Sequence, residues 1–453
     1  MVAMLLMVGV ATWRDARRAV DDSVLAAVPV VSSTTRADLA QTVSQMEARF
    51  KAYPNDGDAV IRLAEALIRV QRVNSDAAAV VRAEERLRAF LAQAPDHYEA
   101  QRVLGSVLLS QHRFRDALRE AGRARAMDPR DGWNYGVIGD AHLELGEYEE
   151  AFAAFDRMGA LRPGPPAYAR VAYALELKGD LEGALGSMRM AADGTSAHDA
   201  EGQAWHYAQL GNLLLHRGQI GDARREFERS AFTFPNHPYA MMGLARVKIA
   251  EGDDAAALAL VHQVHARAPT PELAAIAGDL QARLGRADRV ESLYDEAERL
   301  ERDGWASEEA QPQALARFLA ERGRNVSEAV RLGEEAAAKR RDVHTMDALA
   351  WAYFNAGRVA DAHRAVQVAL RAGARETRIL YHAAAIHAAS GDVSRARDLL
   401  ARLPAPDVDL DLIASPQARA LMERSSLGGQ VTKNESAPHL LPCSGQPCDF
   451  QRD

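Results

Sequence analysis

The stretch LGNLLLHRGQIGDARREFERSAFTFP, residues 210–235, contains two short amphipathic segments on either side of Gly218. The second segment places Ala223 and Phe227 one helical turn apart, on the same face of a helix. Glycine ends a helix in the left-handed conformation without a Cβ penalty, and Pro235 stops the second segment. The stretch therefore predicts a helix, a tight turn and a second helix.

Four series of residues repeat these features in the same phase along the chain. The helix-ending glycines are Gly146, Gly179, Gly218, Gly252, Gly285, Gly323, Gly357 and Gly391. Small residues that let paired helices approach closely are Gly105, Gly139, Ala172, Gly211, Ala245, Gly278, Ala316, Ala350 and Ala384. Alanines after the helix ends are Ala117, Ala151, Ala184, Ala223, Ala257, Ala362 and Ala396, and the closing prolines are Pro95, Pro129, Pro163, Pro235 and Pro269. The period of about 34 residues predicts about ten helical hairpins.

This pattern resembles the tetratricopeptide repeat, whose signature combines Leu-Gly, a later Tyr or Leu, Ala-x3-Phe and Pro. The residues that match it well are Leu104-Gly105, Leu108, Ala117, Ala121 and Pro129, and Leu210-Gly211, Leu214, Ala223, Phe227 and Pro235. The units are expected to begin near Gly57, Tyr98, Gly132, Pro165, Ala204, Pro238, Pro271, Glu309, Val343 and Thr377. The resemblance implies an all-α fold, a right-handed superhelical solenoid over residues 57–406.

The N-terminal segment, residues 1–18, begins with the uncharged run Met1–Trp13, which arginines follow at once. That run is shorter than the ~20 apolar residues that span a bilayer. Two interpretations stay open: a start that lies inside a longer membrane anchor or signal, and a buried or frayed apolar terminus. Residues 19–56 are interpreted as a linker and a leading helix from about Arg36 to Ala52.

The C-terminal residues are expected to cover and then leave the array. A capping helix is predicted within residues 407–424, from Ser415 to Arg424, and a disordered tail over residues 425–453. The tail contains both cysteines, Cys443 and Cys448, so neither can link the folded body, and whether they pair stays open.

Composition restricts the partners. Hydrophobic residues at 48% predict that most of the chain folds, and the net charge of −8 would repel a phosphate backbone. Nucleic acid is therefore not an expected partner. The sequence contains no phosphate loop, nucleophile elbow, His-Glu-x-x-His or dinucleotide glycine motif, so no cofactor or catalytic residue is predicted.

The first helices of stacked hairpins line the concave side of such a solenoid, where ligands bind. The groove-facing positions in this phase are Trp133, Asp140, Arg170, Tyr173, Trp205, Asn212, Tyr239, Met242 and Arg246. Aromatic residues among a few polar groups suit an extended or helical peptide. The alternative is that these residues are ordinary packing between repeats.

A second cluster is predicted on the first helices of two adjacent units: His344, Asp347, Trp351, Tyr381 and His382. His344 and Asp347 are three residues apart and share a helix face, so the cluster could form a polar pocket. A metal ion would need a third ligand, and none is evident, so an ordinary surface histidine is the favoured interpretation and no metal site is predicted.

These observations predict a non-enzymatic scaffold that binds a protein or peptide in its groove. The block Asp347–Tyr353, with Tyr381-His382-Ala383, resembles a bacterial group of such proteins with an N-terminal anchor. That resemblance implies a tether at the membrane and a place outside the cytoplasm, with a cytoplasmic location as the alternative. Two other functions stay open: a substrate-selecting subunit of an enzyme complex, and a structural assembly factor of the cell envelope.

Overall fold

The computed structural model describes residues 35–303, 312–404 and 408–426, which belong to one compact unit, Ser33–Asp453. Within these ranges the chain forms 22 α-helices and no strand. The apolar N-terminal run, its proposed anchor and the C-terminal cysteines lie outside the described residues. In the ranges that are described, none of the helices is both long and apolar enough to cross a membrane.

The helices form ten hairpins between a leading helix and a final helix, in agreement with the predicted solenoid. The leading helix is α1 (Arg36–Ala52), and the first hairpins are α2 (Gly57–Asn74) with α3 (Ala77–Leu91), α4 (Tyr98–Ser110) with α5 (Phe114–Met127), α6 (Gly132–Leu145) with α7 (Tyr148–Leu161), α8 (Pro165–Leu177) with α9 (Leu181–Gly194), and α10 (Ala200–His216) with α11 (Ile220–Thr233). The later hairpins are α12 (Pro238–Ala250) with α13 (Asp254–His265), α14 (Pro271–Arg283) with α15 (Val290–Asp303), α16 (Pro312–Glu321) with α17 (Val326–Lys339), α18 (Val343–Asn355) with α19 (Val359–Ala369), and α20 (Thr377–Ala389) with α21 (Val393–Leu400). The final helix is α22 (Ala414–Ser426).

Most first helices begin where the sequence period places them. Proline at the first helical position starts α8, α12 and α14, where its missing N–H has no helical partner to lose. An aspartate caps α2, α6 and α18 through Asp56, Asp131 and Asp342. One start differs from the prediction: α10 begins at Ala200, before Ala204, because Asp199 caps it. The start expected near Glu309 lies outside the described residues, and α16 is described from Pro312.

The helix-ending glycines have the predicted left-handed backbone. All eight have a positive φ, from 63° at Gly323 to 89° at Gly391. In the first two hairpins, Ser75 (φ 54°) and His112 (φ 61°) have the same conformation at the corresponding turns. The glycine series therefore begins at the third hairpin because other residues take this conformation in the first two.

The small residues of the first helices make room for aromatic rings. Phe227 in α11 is fully buried against Gly211 of α10 and Gly243 of α12. A Cβ at Gly211 would lie 2.6 Å from the Phe227 ring, and one at Gly243 would lie closer still. Gly139 with Phe155 makes the same kind of contact. Glycine is needed at these positions because interiors are close-packed.

Hairpins that are far apart in sequence also touch. The backbone N–H of Arg341, before α18, donates to the carbonyl oxygen of Leu145 at the end of α6, at 3.1 Å. The N–H of Val343 donates to the Tyr148 hydroxyl at 2.8 Å. In the same way, Arg72 of the first hairpin lies 3.1 Å from Glu201 of the fifth. The hairpins therefore coil until successive turns are in contact.

Gly146 offers a test of this contact between turns. A Cβ at Gly146 would lie 2.5 Å from the backbone carbon of Arg341, whereas a Cβ at Gly252 would meet no atom within 4 Å. Both glycines have positive φ, so Gly252→Ala should lose about 1 kcal/mol of unfolding free energy from backbone strain alone. Gly146→Ala should lose about 1–3 kcal/mol more from the clash.

Urea unfolding of both variants, with hydrogen exchange at the Val343 amide, measures this difference. Equal losses of unfolding free energy in the two variants, with an unchanged Val343 exchange rate, would show that the turns do not press on each other at Gly146.

The described C-terminal residues form a final helix. The cap was predicted from Ser415 to Arg424, and α22 is described from Ala414 to Ser426. Asp411 helps to start this helix, because its carboxylate accepts the N–H groups of Ile413 (2.9 Å) and Ala414 (2.7 Å). Residues Val408–Ile413, which we call the strap, are therefore irregular, and they run along the concave side.

Candidate functional site

The concave side contains a cavity that we call the groove cavity, with a volume of about 340 Å³. Its wall comes mainly from the first helices α8, α10, α12 and α20 and from the strap, with Leu181 of α9 and the segment before α20. The side chains in its wall that carry a polar or charged group include Tyr173, Asn212, His216, Arg246, Glu376 and Arg378. Volumes of this size accommodate a small ligand or a few side chains of a partner.

Two tyrosines of the predicted groove are partly exposed, and one of them, Tyr173, lines the groove cavity. Tyr173 on α8 lines the groove cavity and keeps 36% of its surface exposed. Tyr239 on α12 keeps 42% exposed and lies two turns before Arg246 on the same helix face. Burial raises the pKa of both hydroxyls, so both stay protonated donors at neutral pH. Within the described ranges, neither hydroxyl has a hydrogen-bond partner.

Asn212 and Arg246 complete the part of the predicted set that borders the groove cavity. The Asn212 amide makes one long contact, 3.4 Å from Nδ2 to the Gln209 Oε1 atom. The Arg246 guanidinium donates to Glu272 at 3.1 Å, and both side chains are exposed. Exposed ion pairs of this kind are weak, so Arg246 can exchange Glu272 for a carboxylate of a ligand.

The other polar members of the set bind each other. Arg170 donates to both carboxylate oxygens of Asp140, with distances of 2.6–3.0 Å. The Trp133 ring lies between the guanidinium carbons of Arg102 and Arg170, at 5.7 and 5.6 Å, and its Nε1 donates to Ser106. These side chains connect the second, third and fourth hairpins, and Asp140 and Arg170 pair with each other.

Trp205 and Met242 also pack between helices. Trp205 meets His206 edge to face at 5.2 Å and contacts the core around Tyr207 and Phe227. Met242 packs against the apolar cluster around Ile249. The groove set predicted from the sequence therefore divides into residues that border open space and residues that hold the array together.

Charged side chains of both signs line the groove cavity. His216 Nδ1 lies 2.7 Å from Glu176, and although burial lowers the pKa of His216, this carboxylate outweighs it and raises the pKa. Burial raises the pKa of Glu376, but His344, Arg378 and His216 together lower it. Glu176 and His216 were not among the groove residues predicted from the sequence. They lie one helical turn after Tyr173 and Asn212, and this spacing would have placed them on the same helix face.

The second predicted cluster does come together, as a buried contact between the ninth and tenth hairpins. His382 Nδ1 lies 3.0 Å from Asp347 Oδ1, and the Trp351 ring stacks on His382 at 4.0 Å. Tyr381 meets Trp351 edge to face at 5.5 Å, while His344 points to Glu376 at 3.7 Å.

Burial of the two hairpins' side chains explains why this cluster is not an open site. Asp347, Trp351, Tyr381 and His382 are all buried. In the described ranges there is no group of three side chains placed to hold a metal ion. The cluster therefore connects two hairpins, and the open pocket that the sequence suggested is absent from this place.

Asp347 should make stability depend on acid pH. Burial raises the pKa of its carboxyl, but His382 and Arg378 outweigh burial and lower the pKa to about 2. In the unfolded chain the pKa is about 3.9. The charged form is thus favoured by folding, and about 2 kcal/mol of stability present above pH 4 should disappear as the pH falls from about 4 to about 2.

The measurement is the unfolding free energy of the wild type and of Asp347→Asn between pH 2 and pH 6. The gap between the two proteins should be wide at pH 6 and should shrink toward pH 2. A gap that does not change with pH would contradict the lowered pKa.

The ten stacked hairpins define the chain as a helical-repeat solenoid with an inward-facing groove. One tetratricopeptide repeat family model matches residues 81–131, 104–166 and 348–408, and another matches residues 214–284. The matched segments are similar to tetratricopeptide repeats, the family that the sequence pattern resembles. No curated protein matches the sequence.

Solved structures with a similar fold are distant in sequence. A tetratricopeptide repeat protein from Parabacteroides merdae is 20% identical and matches 52% of this chain and 93% of its own, with a TM-score of 0.38. PilW, a type IV pilus biogenesis factor, is 19% identical over 47% of this chain and 96% of its own, with a TM-score of 0.38. IFIT1 is 16% identical over 74% of this chain and 77% of its own, with a TM-score of 0.45.

Proposed function

We propose that this chain is a non-enzymatic scaffold that holds a segment of a partner protein against the groove cavity. The observations that support it are two partly exposed tyrosines on first helices: Tyr173 in the wall of the groove cavity, and Tyr239 two turns before the wall residue Arg246 on α12. Within the described residues, neither hydroxyl has a hydrogen-bond partner. Aromatic side chains with a polar tip are enriched among the anchor residues of protein interfaces.

The chemistry of the wall suits a polypeptide better than a single charged metabolite. The groove cavity offers the Asn212 amide, which can donate and accept, beside Arg246 and the ion pair of His216 with Glu176. Peptide groups need both donors and acceptors, and side chains of either charge find a counterpart here. At about 340 Å³ the space admits an extended segment but no folded domain.

Photocrosslinking tests the proposal directly. A photoreactive residue is placed at Tyr173 or at Tyr239, and a control is placed at Phe232, which is 88% exposed on the second helix α11. After irradiation in the native host, the groove positions should yield crosslinked partner protein and the Phe232 position should yield little.

The outcomes separate the alternative functions. A scaffold that assembles complexes through its outer face would give crosslinks from Phe232 and none from the tyrosines, which would overturn the proposal. A substrate-selecting subunit would also use the groove, and it differs in that the crosslinked protein would copurify with an enzyme activity. Removing both rings, as Tyr173→Ala with Tyr239→Ala, should abolish the groove crosslinks of a probe at Asn212.

We also propose that the scaffold works outside the cytoplasm, tethered by its N-terminal region. The supporting features are the uncharged run Met1–Trp13 and the resemblance of the block Asp347–Tyr353 to a bacterial group of such proteins with an N-terminal anchor. Alkaline phosphatase fused after Asp453 should be active in cells, since that reporter folds only outside the cytoplasm. An inactive phosphatase fusion together with an active cytoplasmic reporter at the same position would reject this location.

A further inference from the structure

The strap, Val408–Ile413, has the sequence VDLDLI and lies where a bound segment would lie. Leu410 and Asp411 border the groove cavity. All of Leu410–Ile413 also borders a neighbouring cavity of about 160 Å³, whose wall includes Arg246, Glu272 and Arg378. Part of the chain's own C-terminal region thus already fills the space between the two cavities.

Two side chains attach the strap to the array. The carboxylate of Asp409 accepts from Arg283 on α14 at 2.7 Å and also pairs with Arg419 on α22. Leu412 packs against the apolar cluster that contains Ile249 and Leu273. Asp411 faces the same cavities as Arg378. The strap is therefore held on the array by one acidic contact, made by Asp409, and one apolar contact, made by Leu412.

The backbone of the strap contributes little to this attachment. Its backbone hydrogen bonds within the described part of the chain are all local. Leu410 N–H donates to the Val408 carbonyl, Asp411 N–H to Ser415 Oγ and Ile413 N–H to the Asp411 carboxylate, and the Asp411 carbonyl accepts from Ser415 N–H. The six strap residues are all only half-buried. A segment held by side chains, without a ladder of backbone hydrogen bonds, opens at low free-energy cost.

The residues that line the wall under the strap indicate the chemistry of a segment that would bind there. Arg246, Arg283 and Arg378 present cationic groups beside the apolar surface of Ile249 and Leu273. The same wall also contains Glu272, which pairs with Arg246, and Glu321, which pairs with Arg322. The strap matches this wall with aspartates at 409 and 411 that alternate with valine and leucine.

We propose that the strap is an internal ligand of the groove, in the place of a partner segment in which acidic residues alternate with branched apolar residues. This inference rests on the proposed function, because it names the chemistry of the partner at the same groove. The strap leaves the groove when such a segment binds, so that the intramolecular contact lowers the apparent affinity for the partner.

The experiment uses the full chain and a labelled synthetic peptide VDLDLIA, the sequence of residues 408–414. Affinity is measured by fluorescence anisotropy for the wild type and for the double variant Asp409→Asn with Leu412→Ser. The variant should bind the peptide at least tenfold more tightly, because its own strap no longer competes. Adding Arg283→Ala to that variant should remove most of the gain. The peptide VKLKLIA, with lysine in place of aspartate, should bind neither protein.

Equal affinity of the wild type and the double variant for VDLDLIA would overturn the inference, and so would equal binding of the lysine peptide. If the double variant does not fold, hydrogen exchange of the wild type decides the question. Exchange of residues 408–413 should rise when millimolar VDLDLIA is added, and an unchanged rate would reject the strap as an internal ligand.

These outcomes can be told apart from failure of the proposed function. Crosslinks from Tyr173 and Tyr239 with no response to VDLDLIA would leave the groove as the binding site and remove only the strap proposal. Crosslinks from Phe232 alone would remove the proposed function.

Discussion

Replacement of Phe227 by alanine should lower the unfolding free energy of the fifth and sixth hairpins by about 3–5 kcal/mol. The ring is completely buried, and it fills the space between Gly211 and Gly243, which have no side chains to relax into the gap. A cavity that cannot collapse carries the full cost of the lost contacts. Phe232→Ala is the matched control on the same helix, and because its ring is 88% exposed, that change should be nearly neutral.

Urea unfolding followed by circular dichroism gives the loss, and hydrogen exchange shows which hairpins open. Exchange should accelerate in α10, α11 and α12, whose helices surround the ring. A loss of unfolding free energy below 1 kcal/mol, or one no larger than that of Phe232→Ala, would show that packing of the Phe227 ring against Gly211 and Gly243 does not stabilise these hairpins.

Replacement of Arg322 by alanine should cost a similar amount, about 3–5 kcal/mol, for an electrostatic reason. Its guanidinium donates to both carboxylate oxygens of Asp279, at 2.6 and 3.1 Å, and lies 4.8 Å from the centre of the Phe318 ring. Both charged side chains are nearly inaccessible to water. The variant leaves Asp279 in this place with only the Tyr294 hydroxyl, which donates to it at 2.8 Å.

A double-mutant cycle checks this explanation. Asp279→Ala with Arg322→Ala should be less destabilised than the sum of the two single changes, because no charge is then left without a partner. Arg299→Ala is the control, since its pair with Asp303 is exposed and should contribute at most a few tenths of a kcal/mol. Additive losses in the cycle would contradict a direct coupling between Asp279 and Arg322.

The hairpins were predictable because their determinants are local. A proline at the start of α8, α12 or α14 and a glycine at the end of a first helix act within one turn of backbone. Ser75 and His112 show where prediction from glycine positions fails. They have the same left-handed conformation, but serine and histidine are not residue types from which that conformation can be predicted. The structure there follows from the packing of whole hairpins.

The candidate site was only partly predictable because a helix face can look either toward a groove or toward a neighbouring helix. Trp133 and Tyr173 both occupy inward positions of first helices, yet two arginines enclose Trp133 while Tyr173 borders open space. The strap could not be predicted at all. Its contact between Asp409 and Arg283 joins residues 126 positions apart, and no local pattern determines such a distance.

The bond between Arg341 and Leu145 limits how the length of this array can change. In a solenoid where each repeat meets only its neighbours, one repeat can be lost or duplicated and the remaining interfaces stay intact. Here a deletion between the third and ninth hairpins would rotate Arg341 away from Leu145 and bring a different surface against Gly146. The number of repeats along this stretch is therefore fixed by geometry in the way that the strand number of a closed barrel is fixed.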